Sequence, residues 1–210
     1  MTDHNALIEK LGREIKPVRR LWPTGLRVLI WLFVALPCAV AASFLVPRGL
    51  TDWSQPGAKL AMIQIALALL LGTLAIRIAF TLSIAGRRSL KGKALLPIAL
   101  MWFGLSVINM QGHGAILNDH DSTRCFTFLM VVSAPMILLM IISLRRSRSL
   151  YPVRSLAMAG MGIASLAVSL LAFCHPVHLH VLDFMMHLAA IVAIVALTIL
   201  TGKRWVSLDS

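Results

Sequence analysis

Six long apolar runs take up most of the sequence and leave little chain for anything else. They fall at residues 25–46, 58–76, 94–111, 125–144, 155–174 and 181–201. Each is close to the roughly 17 to 25 apolar residues that a helix needs to cross a bilayer. The chain is 13% charged, whereas an ordinary soluble domain contains about 25% charged residues. The pattern predicts an all-α fold, a polytopic membrane bundle of six transmembrane helices.

Lys and Arg are distributed unevenly between alternate segments of the chain. Seventeen of the 20 lie before or at the start of the first run, around the second and fourth loops, or at the C-terminal end. The other three are Arg48, Lys59 and Arg124. Because basic residues collect at the cytoplasmic ends of spans, both termini are predicted to be cytoplasmic in a bacterial inner membrane. The net charge of +12 then reflects topology, which argues against direct binding of nucleic acid.

The segment before the first run has the pattern of a short amphipathic helix. Its apolar residues recur at helical spacing and are Leu7, Ile8, Leu11 and Ile15, and Pro17 blocks continuation. Such a helix either lies on anionic lipid or docks on a soluble partner, and the residues leave both alternatives open. The predicted segments are a cytoplasmic tail over 1–24, a transmembrane domain over 25–205 and a second cytoplasmic tail over 206–210.

Polar residues inside the spans give little support for transport or catalysis. Gln64, Asn109 and Gln111 are of the kind that hydrogen-bond between helices. Ion pathways and proton relays place ionisable side chains inside the bundle, and these runs hold almost none away from their ends. The sequence also has no phosphate loop and no catalytic Ser-His-Asp motif. We therefore do not expect an enzyme.

A second polar group gathers in the loops that the charge pattern places outside. The candidate ligands of a transition-metal ion are His113, His120, His175, His178 and His180. Cys125 opens the fourth run and Cys174 closes the fifth. Both are equally distant in sequence from the intervening turn, so an antiparallel hairpin would place the two sulfurs at similar depth.

Three uses of these residues remain open at this point. Thiolate and imidazole ligands suit zinc, copper or a similar metal. Two thiols in an oxidising compartment can also interconvert with a disulfide. The third alternative is a static structural disulfide beside solvated histidines.

The order of these features along the chain resembles the NrsF-type membrane anti-sigma factors. The resemblance rests on the tail that ends in Pro17-Val18-Arg19-Arg20-Leu21, on six spans, and on a cysteine that opens the fourth span and another that closes the fifth. It implies a negative regulator that holds an extracytoplasmic-function sigma factor at the membrane. Release would follow periplasmic metal or oxidative stress, sensed by Cys125 and Cys174. The implied partner-binding residues are Leu7, Leu11, Ile15, Val18, Arg19, Arg20 and Leu21.

A different class of function competes with this interpretation. The histidines of the third outer loop, His175, His178 and His180, would also suit a small metal-binding or metal-transporting inner-membrane protein. The scarcity of intramembrane acids argues against transport.

Overall fold

The computed structural model describes residues 2–14, 22–47, 49, 51–55, 57–84, 92–110, 119–147, 149, 151–174 and 181–206. Within these residues all regular secondary structure is helical. The helices are α1 (Thr2–Glu14), α2 (Thr24–Ser43), α3 (Ala58–Leu82), α4 (Leu96–Met110), α5 (Asp119–Arg145), α6 (Pro152–Leu171) and α7 (Val181–Val206). A short 3-10 turn, Gly92–Leu95, leads into α4. Six of these segments are long and apolar enough to cross a membrane, so the predicted all-α, six-span fold is confirmed.

The observed helices differ from the predicted spans mainly at their ends. The second apolar run stops before Arg77, but α3 continues to Leu82 because Ile78, Ala79 and Phe80 are buried. Arg77 itself is exposed, as expected for a long cationic side chain near a helix end. The fifth apolar run extends to residue 174, whereas α6 stops at Leu171, so Cys174 follows the helix by three residues.

Hydrogen bonds between distant segments show that the six spans alternate in direction. At one end, called here the Arg27 end, Arg27 Nη2 of α2 donates to Ser147 Oγ after α5 (3.2 Å), and the Ser147 hydroxyl donates to Ser83 Oγ after α3 (3.0 Å). Ser149 N donates to the carbonyl oxygen of Val206 in α7 (3.1 Å). At the opposite end, called the Cys174 end, Thr51 N donates to the carbonyl oxygen of Phe173 (3.2 Å).

The most extensive helix pair is α3 with α6, and it depends on two facing glycines. A Cβ atom built on Gly162 would lie 2.7 Å from Ile76 Cδ1 and 3.0 Å from the backbone oxygen of Gly72. A Cβ on Gly72 would meet Leu166 Cγ at 2.8 Å. Small residues allow two helix backbones to approach closely in lipid, where apolar side chains gain little from leaving their surroundings. Gly162 therefore lies on the face of α6 that α3 covers, whereas Gly160 faces Val195 and Thr198 of α7.

Hydroxyl groups in the spans are satisfied mostly within their own helices. Ser169 Oγ, for example, donates to the Leu166 carbonyl oxygen (2.7 Å), and Thr198 Oγ1 donates to that of Ile194 (2.7 Å). Ser155 instead joins two helices, since its Oγ in α6 donates to the Ala79 carbonyl oxygen in α3 (3.0 Å). These hydroxyl groups thus remain paired in apolar surroundings, where an unpaired group is costly.

Replacing Gly162 by leucine should destabilise the bundle. The larger side chain overpacks against Ile76 and the Gly72 backbone, at a cost of about 1 to 3 kcal/mol. Gly104→Leu in α4 is the matched control, because a Cβ there meets nothing within 4 Å. Reversible unfolding in mixed detergent micelles measures both variants. Equal unfolding free energies would contradict the close approach of α3 and α6.

Candidate functional site

The amphipathic tail helix predicted from the sequence is α1, and its apolar side chains are exposed. Leu7, Ile8 and Leu11 keep 55%, 67% and 53% of their surface accessible. They lie on one face of α1, because Leu11 is four residues after Leu7 and three after Ile8. An exposed apolar face of this kind can lie on lipid or receive a partner. The other predicted contact residues, Ile15, Val18, Arg19, Arg20 and Leu21, lie outside the described residues.

Both predicted sensor cysteines lie at the Cys174 end and contact the same hydrophobic core. Cys125 is in the first part of α5 and is only 5% exposed, in a cluster that includes Phe128 and Leu129. Cys174 is half-buried and packs against that cluster from the segment after α6. Cys125 and Cys174 are not joined by a disulfide. Their proposed joint role as a sensor remains a prediction.

The segment before Cys174 is held by the first loop between spans, which the sequence analysis did not identify as part of the site. Thr51 N donates to the Phe173 carbonyl oxygen, and its Oγ1 donates to that of Ala172 (2.9 Å). The rings of Trp53 and Phe173 lie 5.8 Å apart between centroids. Cys174 N in turn donates to the Leu171 carbonyl oxygen (2.8 Å). Loop residues more than 100 positions away therefore set the conformation next to the thiol.

The shape of this first loop depends on Asp52. Its Oδ1 accepts hydrogen bonds from Ser54 Oγ (2.6 Å) and Ser54 N (3.0 Å), and its Oδ2 accepts one from Gln55 Nε2 (3.3 Å). These hydrogen bonds, led by that from the Ser54 hydroxyl, lower the pKa of the Asp52 carboxyl group below its usual value. An aspartate followed two residues later by serine is a common turn pattern, so the sequence contained a signal for this turn.

A cavity of about 70 Å³, lined mainly by apolar atoms, lies between α3, α4, α6 and α7, below the first loop. Its polar lining consists of Thr51, Gln64, Ser106, Ser169 and His187. Gln64 Nε2 of α3 donates to Ser106 Oγ of α4 (3.4 Å), which agrees with the predicted role of Gln64 in joining helices. The cavity is large enough for a few water molecules.

The structure does not test the predicted metal site. His113, His175, His178 and His180 lie outside the described residues, and of His120 only the helical backbone is described. Across the side chains that the structure does describe, no group of three His, Cys, Asp or Glu residues is positioned to bind a metal ion. The fully described candidates at this end are therefore the two thiols.

Comparison with known proteins gives one match that covers most of the chain. A protein-family model described as "NrsF: Negative regulator of sigma F" matches residues 11–207. No curated protein and no solved structure matches. The matched region begins inside α1 and continues through α7, so it includes both cysteines and part of the exposed apolar face.

The two cysteines should differ in their reactivity towards maleimide. Cys174 is half-buried and Cys125 is almost fully enclosed, so we expect Cys174 to react at least about tenfold faster, since access limits thiol modification. The comparison uses Cys38→Ser/Cys125→Ser against Cys38→Ser/Cys174→Ser in mild detergent, with mass spectrometry of the labelled protein. Equal rates would show that the region around Cys125 opens readily.

Proposed function

Because this chain belongs to the NrsF family of negative regulators of sigma F, we propose that it is an anti-sigma factor that holds its sigma factor at the bacterial inner membrane. The family description supplies the sigma factor as the partner. The six membrane-crossing helices supply the anchor. We propose further that the sigma factor is of the extracytoplasmic-function type, and that the protein acts by binding and not as an enzyme.

The charge distribution supports the orientation in the membrane that this function requires. A sigma factor is cytoplasmic, so the tail that holds it must also be cytoplasmic. Alternation of six spans then places both termini and the Arg27 end inside the cell. The described basic residues Arg145, Arg146, Arg154, Lys203 and Arg204 all lie towards that end, as the positive-inside rule requires. The Cys174 end, with both thiols, would face the periplasm.

The observation that best supports sigma-factor binding is the exposed apolar face of α1. Leu7, Ile8 and Leu11 are all more than half accessible, and helix-in-groove recognition uses apolar anchors at this spacing. The face lies on a segment outside the six spans, as a contact with a soluble protein requires. We propose that Leu7 and Leu11 are anchors, and that Ile15, Val18, Arg19, Arg20 and Leu21 continue the contact.

We propose that release begins at the two cysteines. Oxidation or metal binding at Cys125 and Cys174 would change the packing of α5 against the segment after α6, because both side chains contact one core. Such a stimulus can shift binding only if its free energy differs between the holding and released states. The competing metal-transport function gains no support from the described residues.

Changing the apolar face of α1 should abolish retention of the sigma factor. Two lost anchors weaken a helix-in-groove contact by about a hundredfold, so Leu7→Ser/Leu11→Ser should retain none during affinity purification from gently solubilised membranes. Lys10→Ser is the control on the same helix, since Lys10 is exposed and polar. Binding of purified sigma F to the full chain then gives the affinities.

Three other outcomes have definite meanings. If the Leu7→Ser/Leu11→Ser protein binds sigma F as well as the unchanged protein does, α1 is not the docking helix. If it binds sigma F normally but no longer attaches α1 to anionic vesicles, the helix is a lipid anchor. If the unchanged full chain binds no sigma factor, the proposed function is wrong.

Cysteine substitution should block release without blocking retention. In spheroplasts treated with a membrane-impermeant thiol oxidant, we expect the unchanged protein to release sigma F, whereas Cys125→Ser and Cys174→Ser should each retain it. Cys38→Ser is the control, because Cys38 lies within α2 and is not part of the proposed pair. Normal release from the Cys125→Ser and Cys174→Ser proteins would rule out the sensor.

A further inference from the structure

Three arginines at the Arg27 end each lie against an aromatic ring. The guanidinium carbon of Arg27 lies 4.7 Å from the Phe80 ring centroid, that of Arg145 lies 5.0 Å from Trp205, and that of Arg154 lies 5.7 Å from Tyr151. A ring stacked on a guanidinium limits its rotation and leaves the N–H groups at its edge free to bind an anion. Arg145 and Arg154 are exposed, whereas Arg27 is half-buried.

The turn between α5 and α6 brings these arginines to one part of the bundle. Arg145 is the last residue of α5 and Arg154 is in the first turn of α6. Arg27 donates a hydrogen bond to Ser147 in this turn, and Ser149 N donates one to the Val206 carbonyl oxygen of α7. Since α5 and α6 have 44% and 61% of their spans buried, their turn lies towards the middle of the bundle end.

No carboxylate of the bundle lies near these cations. The acidic residues between positions 25 and 206 are Asp52, Asp119, Asp121 and Asp183. Asp52 is in the first loop of the Cys174 end, and the other three lie in the first turn of α5 or of α7 at the same end. The bundle therefore supplies no internal partner for Arg145 and Arg154, and a counter-charge has to come from a terminal segment or another molecule.

We propose that the exposed arginines of this turn, Arg145 and Arg154, form a second docking surface that binds carboxylates on an acidic segment of the sigma factor. This inference rests on the proposed function and adds a contact separate from α1. Arginine suits carboxylates because its planar fork donates two parallel hydrogen bonds. A protein is favoured over a lipid headgroup as the occupant because the turn lies between buried helices, whereas headgroups surround the perimeter of a bundle.

The experiment compares three variants of the full chain in nanodiscs of phosphatidylcholine, with and without phosphatidylglycerol, and uses purified sigma F as the probe. Arg145→Gln/Arg154→Gln removes both guanidinium groups. It should weaken binding about tenfold, which is the effect of losing two exposed but well-oriented ion pairs with carboxylates. Lys203→Gln/Arg204→Gln is the matched control, since it removes the same charge from exposed positions in the last turn of α7. We expect it to weaken binding less than about threefold.

Arg145→Lys/Arg154→Lys keeps both positive charges and changes only the geometry of the hydrogen-bond donors. It therefore still tests the proposal if the glutamine variant folds poorly. Lysine keeps the charge but has no planar fork, so this variant should also bind more weakly than the control. Equal losses from the glutamine variant and the control, or full binding by the lysine variant, would overturn the proposal.

Three remaining outcomes distinguish the possible reasons for failure. If the glutamine variant weakens binding only when the discs contain phosphatidylglycerol, the arginines bind lipid and the inferred protein contact is wrong. If the unchanged chain binds no sigma F, the proposed function and this inference both fail. If binding depends on Leu7 and Leu11 but not on Arg145 and Arg154, only this inference is overturned.

Discussion

The close contact of α3 with α6 at Gly72 and Gly162 organises the rest of the bundle. Within a bilayer, burying an apolar side chain between helices gains little, because lipid tails are equally apolar. Association must come from close packing, and here the Cβ position of each glycine is filled by atoms of the opposite helix. α6 is the most buried of the six spans, at 61%, and the other helices are arranged about the pair that it forms with α3.

The α5–α6 hairpin is the element that reaches both candidate sites. Cys125 lies near its beginning, Cys174 follows its end, and Ser147 and Ser149 lie at its turn. Its core residues Leu129, Met136, Leu156 and Ile163 are fully buried. Such close-packed side chains resist deformation. In the proposed release, a change in spacing between Cys125 and Cys174 would be passed along these two helices to their turn.

The spans could be predicted from the sequence because the bilayer imposes a length and excludes charge. The ends were less predictable, since Arg77 interrupts the apolar run while α3 continues through buried Ile78 and Phe80. The contact of Thr51 with the Ala172–Phe173 segment joins residues more than 100 positions apart, so no local pattern encodes it. The stacking of Arg145 on Trp205 likewise depends on how α5 and α7 meet. The histidine loops lie outside the described residues, and the metal site stays a prediction.

A regulator that must release its partner benefits from two modest contacts in place of one strong one. In the proposed complex, the exposed face of α1 would supply apolar anchors for affinity, whereas Arg145 and Arg154 would supply charge for selectivity and fast association. Both contacts belong to one chain and would engage one sigma factor, so binding of the second contact is effectively intramolecular. If the turn moved away from the sigma factor, the charge contact would be lost. The extra affinity that comes from binding both contacts at once would be lost with it. A small displacement at the cysteine end could thus cause a large loss of affinity, although each separate contact is weak.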